Sequence, residues 1–326
     1  MNGFECPASS TVLQAVAWAA RKLDGRADHG SRTDPAGRVE SELLLGKVCA
    51  SSRLDLYLNH DRRLDLLESS RFSALVDRRV RGEPVQYLTE STEFYGREFA
   101  VSPAVLIPRP ETERLVDHAR PFLDALRRRR TEEAAAHVRP RTAGETRFGL
   151  PVRFADIGTG AGVLAVTLAL ECPFAQGYAT DVSDEALGVA RKNAENLLRD
   201  RGSRITFRQG SLLAPLNALS VPALDLIVSN PPYVASGEMD GLPEEVHEFE
   251  PRLALHGGED GLECHRALIG RAPRYLNKGG MIALEIGAEQ SGEVTRLMTD
   301  SRVYGNMKIV KDYNGLDRIV SAIYAG

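Results

Sequence analysis

The chain has 326 residues, 43% of them hydrophobic and 26% charged, and a formal net charge of −4. That is room for one large domain and a small one, each of ordinary globular composition. The acidic balance argues against a sequence-independent nucleic-acid binder, although a local basic face can hide within it. Residues 1–86 read as helices only. Thr11 with Gln14 forms a capping box, after which Val12, Val16, Ala19 and Leu23 recur at helical spacing. Residues 25–37 read as a polar turn. A second helix over 39–50 turns Leu43, Leu44 and Val48 inward, and a short one covers 54–58. Another over 64–80 carries the stripe Leu67, Phe72, Leu75 and Val76, so a small helical bundle is expected. At Gly82-Glu83-Pro84 the pattern changes. Residues 86–101, with Tyr87, Phe94, Tyr95 and Phe99, read as a β-hairpin turning at Gly96, and 87–108 as a linker. Residues 109–126 read as a helix. Arg127-Arg128-Arg129-Arg130 and the stretch to about Gly149 read as a solvated helix end and loop, or as a contact for an acidic partner.

From residue 152 onward strands and helices alternate. Strand-like runs fall at 153–157, 177–182, 205–208, 224–229 and 281–286, with Leu187, Ala190, Ala194 and Leu197 at helical spacing after the cap Ser183. Such alternation predicts a mostly parallel sheet with helices on both faces. The last two runs, 307–312 and 318–324, are joined by too few residues for a parallel crossover and predict an antiparallel pair. Four cysteines, Cys6, Cys49, Cys172 and Cys264, form no CxxC pair, and the seven histidines show no paired metal spacing. No signal peptide is legible in residues 1–10, and the apolar run 161–170 is well short of the roughly 20 residues a bilayer needs. A cytoplasmic protein with no membrane contact is expected.

The segment Asp156-Ile157-Gly158-Thr159-Gly160-Ala161-Gly162 sits where the first strand of this region turns into its first helix. Glycines there allow a tight turn and a close ligand, and the helix N-terminus offers free N–H groups. The spacing is GxGxG, with Val163 where a dinucleotide fingerprint would place its third glycine. Asp181 ends the second strand of the region, about 20 residues after the loop, where a carboxylate accepts from ribose hydroxyls. Its competing reading, a helix cap, is already served by Ser183. Together they indicate a nucleoside cofactor and leave NAD and S-adenosylmethionine both open.

Asn230-Pro231-Pro232-Tyr233 follows the strand at 224–229, at the carboxyl edge where open α/β sheets bind ligands. Two prolines could simply stop the strand. As a chemical unit, however, the four residues suit a planar NH2 group whose lone pair is delocalised. The Asn230 side-chain oxygen and the Pro231 carbonyl can accept its two N–H bonds, and Tyr233 offers a face for it to pack on. A hydride-transfer enzyme has no use for this device. Methyl transfer to an amide or aromatic amine does.

These motifs resemble those of the PrmC/HemK protein-(glutamine-N5) methyltransferases, which modify peptide chain release factors. The resemblance runs through Glu83-Pro84-Val85-Gln86-Tyr87-Leu88, Glu93-Phe94-Tyr95-Gly96 and Leu106-Ile107-Pro108-Arg109-Pro110-Glu111-Thr112-Glu113. It continues through the glycine loop, Asn230 to Tyr233, Phe249-Glu250-Pro251 and Gly257-Gly258-Glu259-Asp260-Gly261-Leu262. It implies a class I S-adenosylmethionine-dependent methyltransferase fold over 109–326, Rossmann-like with a terminal antiparallel hairpin, and a helical substrate-docking domain over 1–86. It implies cofactor contacts at Gly158, Thr159, Gly160, Ala161, Gly162, Asp181, Leu212 and Asn230. It places the substrate glutamine, in the Gly-Gly-Gln loop of a release factor, against Asn230, Pro231, Pro232 and Tyr233, with Asn230, Pro231 and Tyr233 carrying the chemistry. Ser211 stands where the family often has an acidic residue facing the adenine, which weakens that contact. Glu285 reads as a pocket wall or a turn residue, Arg109 and Glu113 as an ion pair near the entrance, and His247 as a rim residue. The rival readings are an amino methyltransferase acting on adenine or guanine in nucleic acid, and a binding module that kept only the fold. The first lacks a basic, aromatic track in the helical domain; the second is opposed by intact Asn230 and Asp181.

Overall fold

The computed structural model describes residues 6, 9–25, 36–136, 151–199, 204–218 and 223–326. Most of the expected turn at 25–37 and the end of the arginine-rich stretch, 137–150, lie outside the described residues. The chain divides into two compact units, residues 1–91 with 243–249, and residues 92–242 with 250–326.

The first unit is helical: α1 Val12–Asp24, α2 Ala36–Cys49, α3 Arg53–Leu58, α4 Leu66–Val80 and α5 Val85–Thr89. Reciprocal capping boxes start α1 at Thr11 with Gln14, α3 at Ser52 with Asp55, and α4 at Asp65 with Glu68. Its core holds Val16, Ala19, Leu44, Leu45, Phe72 and Val76. Two inward assignments need correction. Leu43 is exposed while Leu45 is buried, because the inner face of α2 runs through the buried Ser41, whose hydroxyl donates to the Gly37 carbonyl at 2.6 Å. Leu67 is exposed likewise, because α4 buries Ser69 and Ser73 beside Phe72 and Val76. Arg79 reaches Glu40 and Glu245, each at 2.8 Å, which fastens the short helix Glu244–Phe249 to this unit.

The expected hairpin begins later than the sequence suggested. Pro84 precedes the helical turn α5, which Glu90 ends in a left-handed conformation. Only then do β1, Ser91–Phe94, and β2, Arg97–Ala100, pair, turning at Tyr95 and Gly96 with φ of 53° and 67°.

The second unit carries the sheet. Its strands are β3 Val152–Ile157, β4 Ala175–Asp181, β5 Ile205–Gln209, β6 Leu224–Ser229, β7 Leu276–Glu285, β8 Tyr304–Lys311 and β9 Asp317–Tyr324. They lie in the order β5-β4-β3-β6-β7-β9-β8. The strands β3 to β7 are parallel, and β9 runs antiparallel to β7 and β8, so the terminal pair is antiparallel as its short connection required. Helices α6 Glu113–Ala136, α7 Val163–Glu171 and α8 Asp184–Leu198 flank the central strands. Every residue of β6 is buried, as a central parallel strand covered on both faces must be. The chain leaves β3 outward through β4 and β5 and returns to β3's other side at β6, so the strand order reverses between β3 and β6. Ligands of open α/β sheets bind at such a point.

Arg127, Arg128 and Arg129 are exposed, as the solvated reading expects, whereas Arg130 departs from both readings. Helix α6 continues through the run, Arg127 stacks at 4.6 Å over the Phe174 ring, and Arg130 forks onto buried Asp225 at 2.6 and 2.9 Å. Arg130 fastens α6 to the sheet because a carboxylate buried at the start of β6 demands a paired cation.

Candidate active site

Three connections meet at the carboxyl end of the sheet. The first follows β3. Gly158, Gly160 and Gly162 hold φ of 71°, 53° and 81°, a region costly to other residues. A Cβ on Gly158 or Gly160 would meet nothing within 4 Å, so that face of the loop is open. A Cβ on Gly162 would come within 3.0 Å of the Ala190 Cβ, so this glycine serves packing between loop and α8. Asp156 braces the turn from below: one oxygen accepts from the Thr159 hydroxyl at 2.6 Å and from the Ala165 N–H at 3.1 Å. Its burial pushes the carboxyl up to about 7, against the lowering effect of those bonds.

The second connection follows β4. The Asp181 carboxylate accepts from the Gly160 N–H at 2.9 Å and from the Ser183 N–H at 3.0 Å, while the Ser183 hydroxyl caps α8 through the Ala186 N–H. Asp181 thus ties the glycine loop to the start of α8, a task the sequence did not reveal. Each of its oxygens keeps lone pairs for a further donor. Thr180 extends the brace: its carbonyl takes the N–H groups of Gly158 and Thr159, and its hydroxyl donates to the Leu212 carbonyl at 2.9 Å.

The third connection is Asn230 to Tyr233, after β6. The Ser229 hydroxyl donates to the Ile157 carbonyl at 2.6 Å and joins the ends of β6 and β3. Gly257 lies against the turn, where an added Cβ would stand 2.8 Å from both the Pro232 carbonyl oxygen and the Tyr233 Cα. The Gln290 amide donates to the Tyr233 carbonyl at 3.0 Å, and burial together with the nearby Glu285 charge raises the Tyr233 phenol. The Asn230 side-chain NH2 donates to the Thr112 hydroxyl at 3.1 Å. Glu285 is buried at the end of β7, where one of its oxygens has no hydrogen-bond partner, and burial lifts its carboxyl to about 7.

A cavity of about 550 Å³ opens between these connections. Its wall brings together Gly158, Thr159, Gly160 and Ala161 with Asp181, Ser211, Leu212, Asn230 and Pro232. Gly162, Pro231, Tyr233 and Glu285 are not among the residues that line it. The predicted pair of Arg109 with Glu113 does not form. Arg109 reaches the buried Glu250 at 2.6 Å, whereas Glu113 accepts from the Tyr95 N–H at 2.7 Å and holds the hairpin turn. The reason is geometric: a tight turn at Pro110–Thr112 separates Arg109 from Glu113, the first residue of α6. His247 sits 2.9 Å from Glu248 in the short helix of the other unit.

Three residues that sequence reasoning passed over matter here. Thr112 anchors Asn230. Glu250 seats Arg109 and the Ile107 N–H. Buried Asn193 accepts from the Ala100 N–H and donates to the carbonyls of Ala100 and Ala161, linking β2 to the glycine loop through α8. The only signal for Asn193 was an amide on the apolar stripe of its helix. Among the described residues no group of three or more His, Cys, Asp or Glu side chains could hold a metal, and no helix is long and apolar enough to cross a membrane.

Comparison with known proteins gives the geometry a family. Residues 14–89 match the family described as the PrmC N-terminal domain, and residues 147–246 the methyltransferase small domain. A release factor glutamine methyltransferase of Moorella thermoacetica is 39% identical over 308 residues, covering 94% of this chain and 96% of that protein. One from Chlorobaculum tepidum is 40% identical over 287 residues, covering 88% and 90%. Among solved structures, the hMettl16 catalytic domain in complex with a MAT2A 3'UTR hairpin is similar in fold alone, with a TM-score of 0.52 and 14% identity over 77% of this chain and 82% of that one. With relatives this similar along nearly its whole length, the chain belongs to the release factor glutamine methyltransferases.

Proposed function

We propose that this protein transfers a methyl group from S-adenosylmethionine to the side-chain amide nitrogen of the glutamine in the Gly-Gly-Gln loop of peptide chain release factors. The observation that carries the site assignment is the shared cavity: the open face of the glycine loop and Asp181 line one part of it, and Asn230 lines another. Its volume, about 550 Å³, falls within the usual range for small-molecule sites. Asp181 keeps acceptor capacity for ribose hydroxyls, the loop offers backbone close to the amino-acid part, and Leu212 with Ser211 borders the adenine. Ser211 offers a hydroxyl there where a carboxylate would bind an amino group more strongly.

The cofactor, when bound, supplies an electrophilic methyl group on a sulfonium. The residues of the chain do the rest by positioning. The Asn230 oxygen and the Pro231 carbonyl accept the two N–H bonds of the glutamine amide, and the Tyr233 ring packs beside its plane. As the N–C bond forms and the S–C bond breaks, the nitrogen gains positive charge, which both acceptors stabilise. The proton it sheds goes to water, so no strong base is needed. The helical unit docks the substrate protein.

Asn230→Ala removes one acceptor and should lower turnover on the order of 10²–10³-fold while the fold stays intact. The measurement is transfer of labelled methyl to a purified release factor, with nucleic acid offered in parallel. Asn230→Asp should bind the cofactor at least as well, through the added charge beside the sulfonium, yet turn over more slowly than the parent. Near-parental turnover of Asn230→Ala, or label appearing in nucleic acid, would sink the assignment.

A further inference from the structure

Asn193, 1% exposed on α8, bonds to backbone with every N–H it has. Its oxygen accepts the Ala100 N–H at 2.7 Å, and its NH2 donates to the carbonyls of Ala100 at 2.9 Å and Ala161 at 2.8 Å. Reversed, the amide would set its NH2 against an N–H and its oxygen against two carbonyls, so the orientation is fixed. One acceptor and two donors on so short a side chain are what asparagine alone provides.

Both partners bear on the cavity. Ala161 lines it as part of the glycine loop. Its carbonyl lies just ahead of α7, and the N–H four residues on, that of Ala165, goes to the Asp156 carboxyl at 3.1 Å instead. The Asn193 NH2 takes the vacant place. Ala100 is the last residue of β2, and the turn that follows is closed by the Val105 N–H on the Ser102 carbonyl at 3.0 Å. That turn sets Pro103, Ala104 and Val105 on the cavity wall. Asn193 itself does not line the cavity. Asp181 and the close approach of Gly162 to Ala190 join the glycine loop to α8. The Asn193 amide goes further and ties that loop to the strand end from which the other wall starts.

We infer that Asn193 is a positioning residue for the cofactor: it sets the spacing between the glycine loop and the turn after β2, and thereby the affinity for S-adenosylmethionine. It touches neither cofactor nor substrate. The inference rests on the reading of this cavity as the cofactor site, and the test separates the two. Asn193→Leu keeps the bulk and leaves the Ala161 carbonyl without its donor. The free loop then shifts to find water and must return when the cofactor binds, so the cost of the unpaired group falls on binding. The Kd for S-adenosylmethionine, read by calorimetry, should rise about 10- to 100-fold. At saturating cofactor kcat should fall no more than about three-fold, because the bound cofactor holds the loop and the acceptors for the glutamine amide stand on another connection. Asn193→Asp, a neutral acid when buried, can accept the Ala100 N–H and donate to one carbonyl, so its Kd should lie between those of the parent and the leucine variant.

A residue that only stabilises the fold predicts something else: a lower melting temperature and a lower binding stoichiometry, with the parental Kd in the molecules that remain folded. That result would overturn the inference, as would a parental Kd joined to a collapse of kcat. Should Asn193→Leu fail to fold, Asn193→Asp decides, and a Kd within about two-fold of the parent in that variant sinks the role. Asp181→Ala tests the underlying reading. If it binds S-adenosylmethionine as the parent does, the cofactor site is misassigned and the inference falls with it. If Asp181→Ala binds weakly and Asn193→Leu binds normally, only the role of Asn193 fails.

Discussion

Burial of Glu285 at the end of β7 has a thermodynamic consequence that can be measured apart from turnover. Its folded pKa, about 7, lies above the ordinary value for a glutamate, near 4.3. Between those values the folded chain binds a proton at Glu285 that the unfolded chain does not, so this group's contribution to stability falls as pH rises. Glu285→Gln has no such proton. Relative to the parent, the variant should gain on the order of 3 kcal/mol in unfolding free energy between pH 4 and pH 8, most of it between pH 5 and 7. Urea unfolding of both chains at several pH values reads this difference, in which Asp156, also raised to about 7, cancels. Parallel stability curves would mean that Glu285 titrates normally. At this scale the sequence was legible where a residue acts close to home. Gly158, Gly160, Asp181 and Asn230 all stand next to strand ends that periodicity reveals, and they converge on one cavity. It was not legible where the partner is far away in the chain: Arg109 and Glu250 are 141 positions apart, and Asn230 and Thr112 118 apart. Nothing local to Arg109 distinguishes Glu250 from the nearer Glu113.

Among the connecting elements, Gly257 to Leu262 explains itself only once it is seen under the turn of Asn230 to Tyr233. The Cβ of an alanine at Gly257 would stand 2.7 Å from the Gly261 carbonyl oxygen as well as 2.8 Å from the Pro232 oxygen, all backbone that cannot step aside alone. Gly257→Ala should therefore push the turn and destabilise the chain by about 1–3 kcal/mol, the usual cost of overpacking. Turnover should fall more than stability suggests, because the displaced turn carries the acceptors. Gly270→Ala, in the helix Glu263–Arg271 with open space around its Cβ, is the control and should melt no lower than the parent. Equal turnover in Gly257→Ala and the parent would show that the turn tolerates the shift. Element type and strand pairing followed from pattern because the parallel strands are continuous apolar runs and the last connection is short. Helix phase was harder to read. Ser41, Ser69 and Ser73 occupy inner positions that an apolar-stripe search skips, each small enough to let helices approach and each with its hydroxyl placed against a helix neighbour or buried. Residues 86–89 were read as the start of the hairpin because their aromatic and β-branched residues favour a strand, whereas Pro84 starts a helical turn over Val85–Thr89.

For the whole molecule, the division into two units raises the question of what the helical one contributes to a reaction whose groups all lie in the other. Its exposed surface is apolar in one respect that core formation does not explain. Leu54, Tyr57 and Leu58 of α3 are 64%, 71% and 65% exposed, and Leu66 and Leu67 at the start of α4 are 76% and 57% exposed. The capping boxes at Ser52 and Asp65 hold both helix starts in place, so these side chains are displayed on ordered backbone. Large exposed aromatic and aliphatic side chains on a rigid support are what a protein-docking face requires. Under the docking role proposed above, Tyr57→Glu combined with Leu58→Glu should raise the KM for an intact release factor by about 10-fold or more, the scale of losing a central contact. Melting temperature should hardly change, since both positions are already in water. Turnover of a short peptide carrying Gly-Gly-Gln should also be unchanged, because a peptide engages only the cavity. An unchanged KM for the intact factor would move docking away from this face, and slowing of the peptide reaction would mean that the substitutions reach the active site. The comparison of the two substrates is what makes the test specific: only docking predicts a loss confined to the large one.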